Sequence, residues 1–125
     1  MNSKSLSRKI VNLIFEKKGY EVKSIEIKKV STLTDFFVVC SADSDTQVKA
    51  ISDHVEDGLK KEGIRLWHKE GYRGLNWVLL DYVDVVVHVF HKEARSFYSL
   101  EKLWGDAPVV QHRDTAKSLV EETEN

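Results

Sequence analysis

Asp81 and Asp84 stand three residues apart inside LLDYVDVVVHVF, residues 79–90, the most apolar stretch of the chain. Paired carboxylates run acid–base chemistry when their surroundings separate their pKa values, and they hold hard cations through oxygen. They also mark tight turns, because an Asp side chain accepts hydrogen bonds from nearby backbone N–H groups. Asp81-Tyr82-Val83-Asp84 joins two apolar runs and is short enough for a hairpin, so the turn is the simplest of these accounts. The histidines make a weaker case for chemistry. His88 and His91, three apart in an extended run, tend to point to opposite faces. His54, His68 and His112 lack the spacing of a zinc motif. Cys40 is the single cysteine, which excludes an intrachain disulfide, and its surroundings FFVVC suit a small buried apolar residue better than a nucleophile. Gly71 and Gly74 are too few for a phosphate cradle.

The elements that must position these residues follow from apolar periodicity. Leu6, Ile10, Leu13 and Ile14 repeat at helical spacing within residues 5–18, and Gly19 is a plausible cap. Residues 21–30 alternate and read as a strand. FFVVC, after Asp35, is a continuous apolar run suited to an interior strand covered on both faces. Val48, Ile51, Val55 and Leu59 define an amphipathic helix over residues 46–62, closed by Gly63. IRLWH, WVLLD and DVVVHVF read as strands, with KEGYRGLN a loop after the first. Phe97, Leu100 and Leu103 return to helical spacing over residues 93–103. Beyond Pro108 the pattern weakens, and a frayed or partly helical tail is expected. The sum is one α/β domain, a mixed sheet of about five strands packed against helices, over residues 1–107, with a flexible tail over residues 108–125.

Composition narrows the function classes. The chain has 125 residues, 42% hydrophobic and 31% charged, enough for one core without staples. No run approaches the roughly 18 apolar residues of a membrane span, and the N-terminal stretch lacks a signal-peptide core, so a cytoplasmic, bacterial protein is expected. The net charge of −1 makes no case for DNA or RNA as the main partner. Residues 1–30 nevertheless carry eight Lys/Arg against three Glu, a mildly basic front end that is more simply a solvated helix face.

Asp43-Ser44-Asp45, between a strand and a helix, is similar to the metal motif of nucleotidyltransferases, which hold magnesium against a triphosphate. Those enzymes place Gly-Ser before the motif; Cys40-Ser41 stands here, and helix capping explains the segment more simply. What remains is a set of aromatic residues in polar neighbourhoods. Trp77 opens a strand, Tyr82 sits at the hairpin tip where exposure is expected, and Tyr98 and Trp104 flank the last helix. Such residues on rigid edges often anchor protein interfaces.

TDFFVVCSADSDTQVKAISDHV, then EG, WVLLDYVDVVVHVF and RSFYSLEKLWGDA, in that order, closely resemble the ribosomal silencing factor family, RsfS or Iojap-like, over about residues 5–107. The resemblance implies a nucleotidyltransferase-like fold without the catalytic set: a binding protein rather than an enzyme, with no cofactor and no metal. It implies that the chain binds the large ribosomal subunit through ribosomal protein fourteen, blocks joining of the small subunit, forms a homodimer when alone, and touches rRNA at most peripherally. The partner-facing positions it implies are Trp77, Asp81, Tyr82, Asp84, Tyr98 and Leu100, with Trp77 and Tyr98 as apolar anchors and the two acids complementing basic residues. Asp43 and Val83 depart from the family pattern, which has glycine at both. A β-branched residue disfavours φ > 0, so Val83 implies either another turn type or a strained one. Outside this reading stand a metal-dependent nucleotidyltransferase or nucleotide-binding enzyme, and an RNA-binding accessory factor.

Overall fold

The computed structural model describes residues 1–97 and 99–114, with the side chains of residues 96, 97 and 101 left aside. Helix α1 spans Ser3–Glu16 and strand β1 Tyr20–Ile25; a single 3-10 turn, Ile27–Lys29, precedes strand β2, Phe36–Ala42. Helix α2 covers Asp45–Lys60, and strands β3, β4 and β5 cover His68–Glu70, Trp77–Asp81 and Val85–His91. Two short helices, α3 (Lys92–Phe97) and α4 (Leu100–Leu103), lead to strand β6, Val109–Gln111. The sheet has six strands in the order β3-β4-β5-β2-β1-β6. Among the described residues only the central β2–β5 pair is parallel; the other pairings are antiparallel.

Both long helices follow from their sequences. Asn2 accepts the Ser5 N–H at 2.8 Å at the start of α1, and Ser44 accepts the Gln47 N–H at 3.1 Å at the start of α2. The α1 exit differs from expectation. Lys18, not Gly19, takes the left-handed conformation (φ 65°), and the Gly19 N–H reaches back to the Ile14 carbonyl at 3.1 Å. Gly19 is there for contact rather than φ: a Cβ on it would fall 2.4 Å from Ile14 Cγ2.

The sheet divides two apolar clusters. On one face α1 and α2 pack through Ile10, Ile14, Val48, Ile51, Val55 and Leu59 against Val38, Cys40, Val78, Leu80, Val87 and Val89. On the other, Ile25, Phe37, Val39, Val86 and Phe90 meet Leu100, Ala107 and Trp104 from the α3–α4 end. All seven residues of β2 are buried, as a strand covered on both faces requires.

Four expectations change. The strand read over IRLWH, residues 64–68, starts only at His68 and runs to Glu70, into the stretch read as a loop, while Ile64 and Leu66 pack irregularly against the helix-side core. The strand read over residues 21–30 ends at Ile25, where Ile27 turns into the core and starts the 3-10 turn. The single helix read over residues 93–103 is two short ones. The tail, expected to be frayed or partly helical, contributes β6: Val109 and Val110 pair with Ile25 and Ser24, so the sheet has six strands rather than about five. A three-residue strand with every side chain exposed carries almost no periodic signal, which is why it escapes a reading based on apolar spacing.

Candidate functional site

Along β4, successive side chains alternate between the two faces. Val78 and Leu80 enter the helix-side core, while Trp77 and Leu79 belong with the opposite cluster. The same count carries Tyr82 to the helix side, where it is only 6% exposed. The expectation of an exposed Tyr82 at the hairpin tip is therefore corrected: strand alternation persists one residue past Asp81 and outweighs turn position. Burial raises the Tyr82 phenol pKa, and its hydroxyl has no hydrogen-bond partner among the described residues. Leu100 is also buried, beneath the α3–α4 end. Tyr98 lies outside the described residues.

Trp77 is half-buried. Its indole N–H donates to His88 Nδ1 at 3.0 Å, and its ring stacks on Phe90 with centroids 4.8 Å apart. The bond to Nδ1 fixes the tautomer, so the remaining proton sits on Nε2. His88 Nε2 is itself buried without a partner among the described residues. Burial pushes the imidazole pKa down to about 3, and the ring is neutral at physiological pH. His88 is thus the buried, hydrogen-bonded histidine its place in an apolar strand suggests.

Asp81 and Asp84 build the hairpin tip. The Asp81 carboxylate accepts the Val83 N–H at 2.7 Å, and Thr34 Oγ1 donates to the Val83 carbonyl at 2.8 Å. Val83 has φ 72°, and the Asp84 N–H reaches the Tyr82 carbonyl at 2.9 Å. That is a γ-turn of the rare, strained hand. Of the two options that Val83 leaves open, the structure adopts strain, held by side-chain bonds on both backbone groups of Val83. The Asp84 carbonyl accepts the N–H groups of Asp35 and Phe36, and its side chain is exposed.

The strained tip rims an open apolar groove of about 590 Å³ on the face away from α1 and α2. Phe37, Leu79, Val86 and His88 floor it, and Leu33, Trp67 and Val83 stand around it. These last three are 65%, 71% and 58% exposed, unusually high for large apolar side chains that neighbour one another. Asp81, half-exposed, lies on the same groove. Sequence reasoning missed Leu33, Trp67 and Val83. Leu33 sits in an irregular loop, and Trp67, within the stretch IRLWH read as a strand, lies just ahead of β3, whose three residues are all exposed, so strand alternation gave it no face.

The acidic pair Asp43/Asp45 is occupied locally. Asp43 accepts the Tyr20 hydroxyl at 2.7 Å, its N–H donates to the Gln47 side chain at 2.7 Å, and Asp45 lies in the first turn of α2. Among the described residues no three His, Cys, Asp or Glu side chains converge on one point. Cys40 is buried, and burial pushes its thiol up to about 12.

Comparison with known proteins bears on this geometry. The sequence matches the family described as "Ribosomal silencing factor during starvation" over residues 1–125. It is 43% identical to ribosomal silencing factor RsfS of Halalkalibacterium halodurans over 111 residues, covering 89% of this chain and 95% of that one. It is 41% identical to the Bacillus subtilis RsfS, covering 88% and 93%. Protein Iojap of Zea mays chloroplasts is 31% identical over 77% of this chain and 42% of its own. A crystal structure from Chromobacterium violaceum superposes with a TM-score of 0.81 at 32% identity, covering 94% of this chain and 98% of that one. With a matched family over its whole length, two relatives above 40% identity and a shared fold, the chain belongs to the ribosomal silencing factor family, RsfS.

Proposed function

We propose that this protein is a non-enzymatic repressor of translation that docks on ribosomal protein fourteen of the large subunit and keeps the small subunit from joining by occupying space. The observation that carries the reading, within an RsfS-family chain, is the groove beside the β4–β5 tip. Three large apolar side chains stand outward there, Val83 on a strained backbone, beside the carboxylates of Asp81 and Asp84. Apolar anchors supply most of the free energy of such a contact and the acids select a basic partner. Trp77 supports the groove floor through His88 and Phe90. Tyr82 and Leu100 act from within the core, by fixing the hairpin and the α3–α4 end.

A stable interface buries about 1,200–2,000 Å² in total, more than the groove alone offers, so the contact extends over the neighbouring hairpin and α3–α4 end, where Tyr98 stands in the sequence. A homodimer of the protein alone, in the cytoplasm, belongs to the same reading, since an open apolar groove favours covering by a second copy. Among the described residues no helix is long and apolar enough to cross a membrane. The test is a subunit-joining assay. Added protein should lower the fraction of joined ribosomes and sediment with large subunits; joining unaffected at saturating protein would contradict the function.

A further inference from the structure

The parallel pair β2–β5 sends its following helices to opposite faces of the sheet. α2, after β2, packs in the cluster with α1, whereas Ala94 of α3, after β5, packs in the other. Adjacent parallel strands whose connections part in this way leave a crevice beyond their carboxyl ends, and open α/β sheets bind ligands there. In this chain that crevice is a pocket of about 370 Å³, far along the sheet from the β4–β5 tip. Its lining is cationic: Lys23 from β1, Lys92 and Arg95 from α3 and Lys102 from α4 face it, against one carboxylate, Glu21, among the described residues. Ser41, at the end of β2, lies at its base, and Arg95 donates to the Ser41 hydroxyl at 3.0 Å, which fixes the guanidinium over the strand ends.

We propose that this crevice binds a small phosphorylated ligand through a di- or triphosphate group, without turning it over. Four cations from three elements converge on a volume at the small end of the range of ligand pockets. A guanidinium held in place recognises phosphate oxygens in a fixed plane, and lysines add charge from the rim. Lys23, Arg95 and Ser99 have other partners within the chain, so the ligand shares a network that is already ordered. Asp43 and Asp45, just beyond Ser41 in the chain, are tied to Tyr20, Gln47 and the start of α2, and Glu21 is the one carboxylate among the described lining residues, too few to hold a catalytic metal. This inference does not rest on the docking groove, because groove and crevice share no lining residue.

The test is a titration of the full-length protein with sodium pyrophosphate, with ATP in the absence of magnesium, and with a short single-stranded RNA, followed by amide chemical shifts and calorimetry. Pyrophosphate and ATP should bind, shift amides at the ends of β2 and β5, and weaken as salt rises. Lys92→Glu combined with Lys102→Glu, both exposed, should weaken binding by about tenfold or more while leaving Tm unchanged. Arg95→Gln should do the same through loss of the fixed guanidinium. Absence of pyrophosphate and ATP binding, binding undiminished in the double variant, or binding of RNA alone would each overturn the proposal.

Discussion

The Asp81 carboxylate accepts the N–H of Val83, two residues along the chain, at 2.7 Å. That bond joins the two properties of the hairpin tip, its acidity and its outward apolar side chain. A residue chosen for charge alone would not need this geometry, and a turn chosen for ease would not put valine at φ 72°.

Substitution can separate the two roles of Asp81. Asp81→Ala leaves the Val83 N–H without its acceptor and should cost about 1 kcal/mol of stability. Asp81→Asn keeps an acceptor oxygen and should recover most of that in urea denaturation. If the charge serves docking, Asp81→Asn should still bind large subunits more weakly than the parent protein. Equal binding would show that Asp81 serves the turn alone.

Val83→Gly relieves left-handed strain at a β-branched residue. The relief, about 1–3 kcal/mol, exceeds the roughly 0.5–1 kcal/mol by which glycine favours the unfolded chain. The variant should therefore be more stable by about 1 kcal/mol and bind its partner less well, because the exposed apolar contact is lost. A stability loss would mean that the bonds from Asp81 and Thr34 do not suffice to hold the turn without the side chain.

Much of this was legible in the sequence, for physical reasons that also explain the rest. Periodic burial marked α1, α2 and the central strands, because half or more of each is core. Capping chemistry at Ser44 and the buried character of Cys40 and His88 were legible for the same reason. Tyr82 was legible and misread: counting by twos from Val78 and Leu80 points it into the core, although its neighbours are turn residues. Leu33 carried no signal and Trp67 was read only as part of a strand that begins one residue later, since an apolar residue in an irregular exposed segment acquires meaning only when the fold brings others beside it. β6 was hidden because its pairing with β1 is a matter of backbone alone.

His88 makes stability depend on pH. Its imidazole takes a proton below about 6.5 in the unfolded chain but only near 3 when folded, because burial disfavours the charged ring. The unfolded state therefore binds the extra proton across that window, and the His88 contribution is complete above the upper value and declines as pH falls. His88→Gln keeps an acceptor for the Trp77 N–H and should flatten the slope of unfolding free energy between about pH 6.5 and 4. An unchanged slope would place the acid sensitivity elsewhere.

Cys40 should resist thiol reagents in the native protein. A fully buried thiol whose pKa is pushed up to about 12 offers negligible thiolate at neutral pH. Labelling should follow global unfolding and accelerate with denaturant; fast labelling in buffer would mean that the β2–β5 centre opens locally.

The proposed docking requires that the groove be where the ribosome is met. The most direct measurement is the affinity of the purified protein for ribosomal protein fourteen, compared with that of Trp67→Ala and of Leu33→Asp combined with Val83→Asp. All three positions are exposed, so the variants should keep their Tm. Each should lose at least about 2 kcal/mol of binding, roughly thirtyfold. Folded variants that bind as tightly as the parent protein would contradict the assignment of this face.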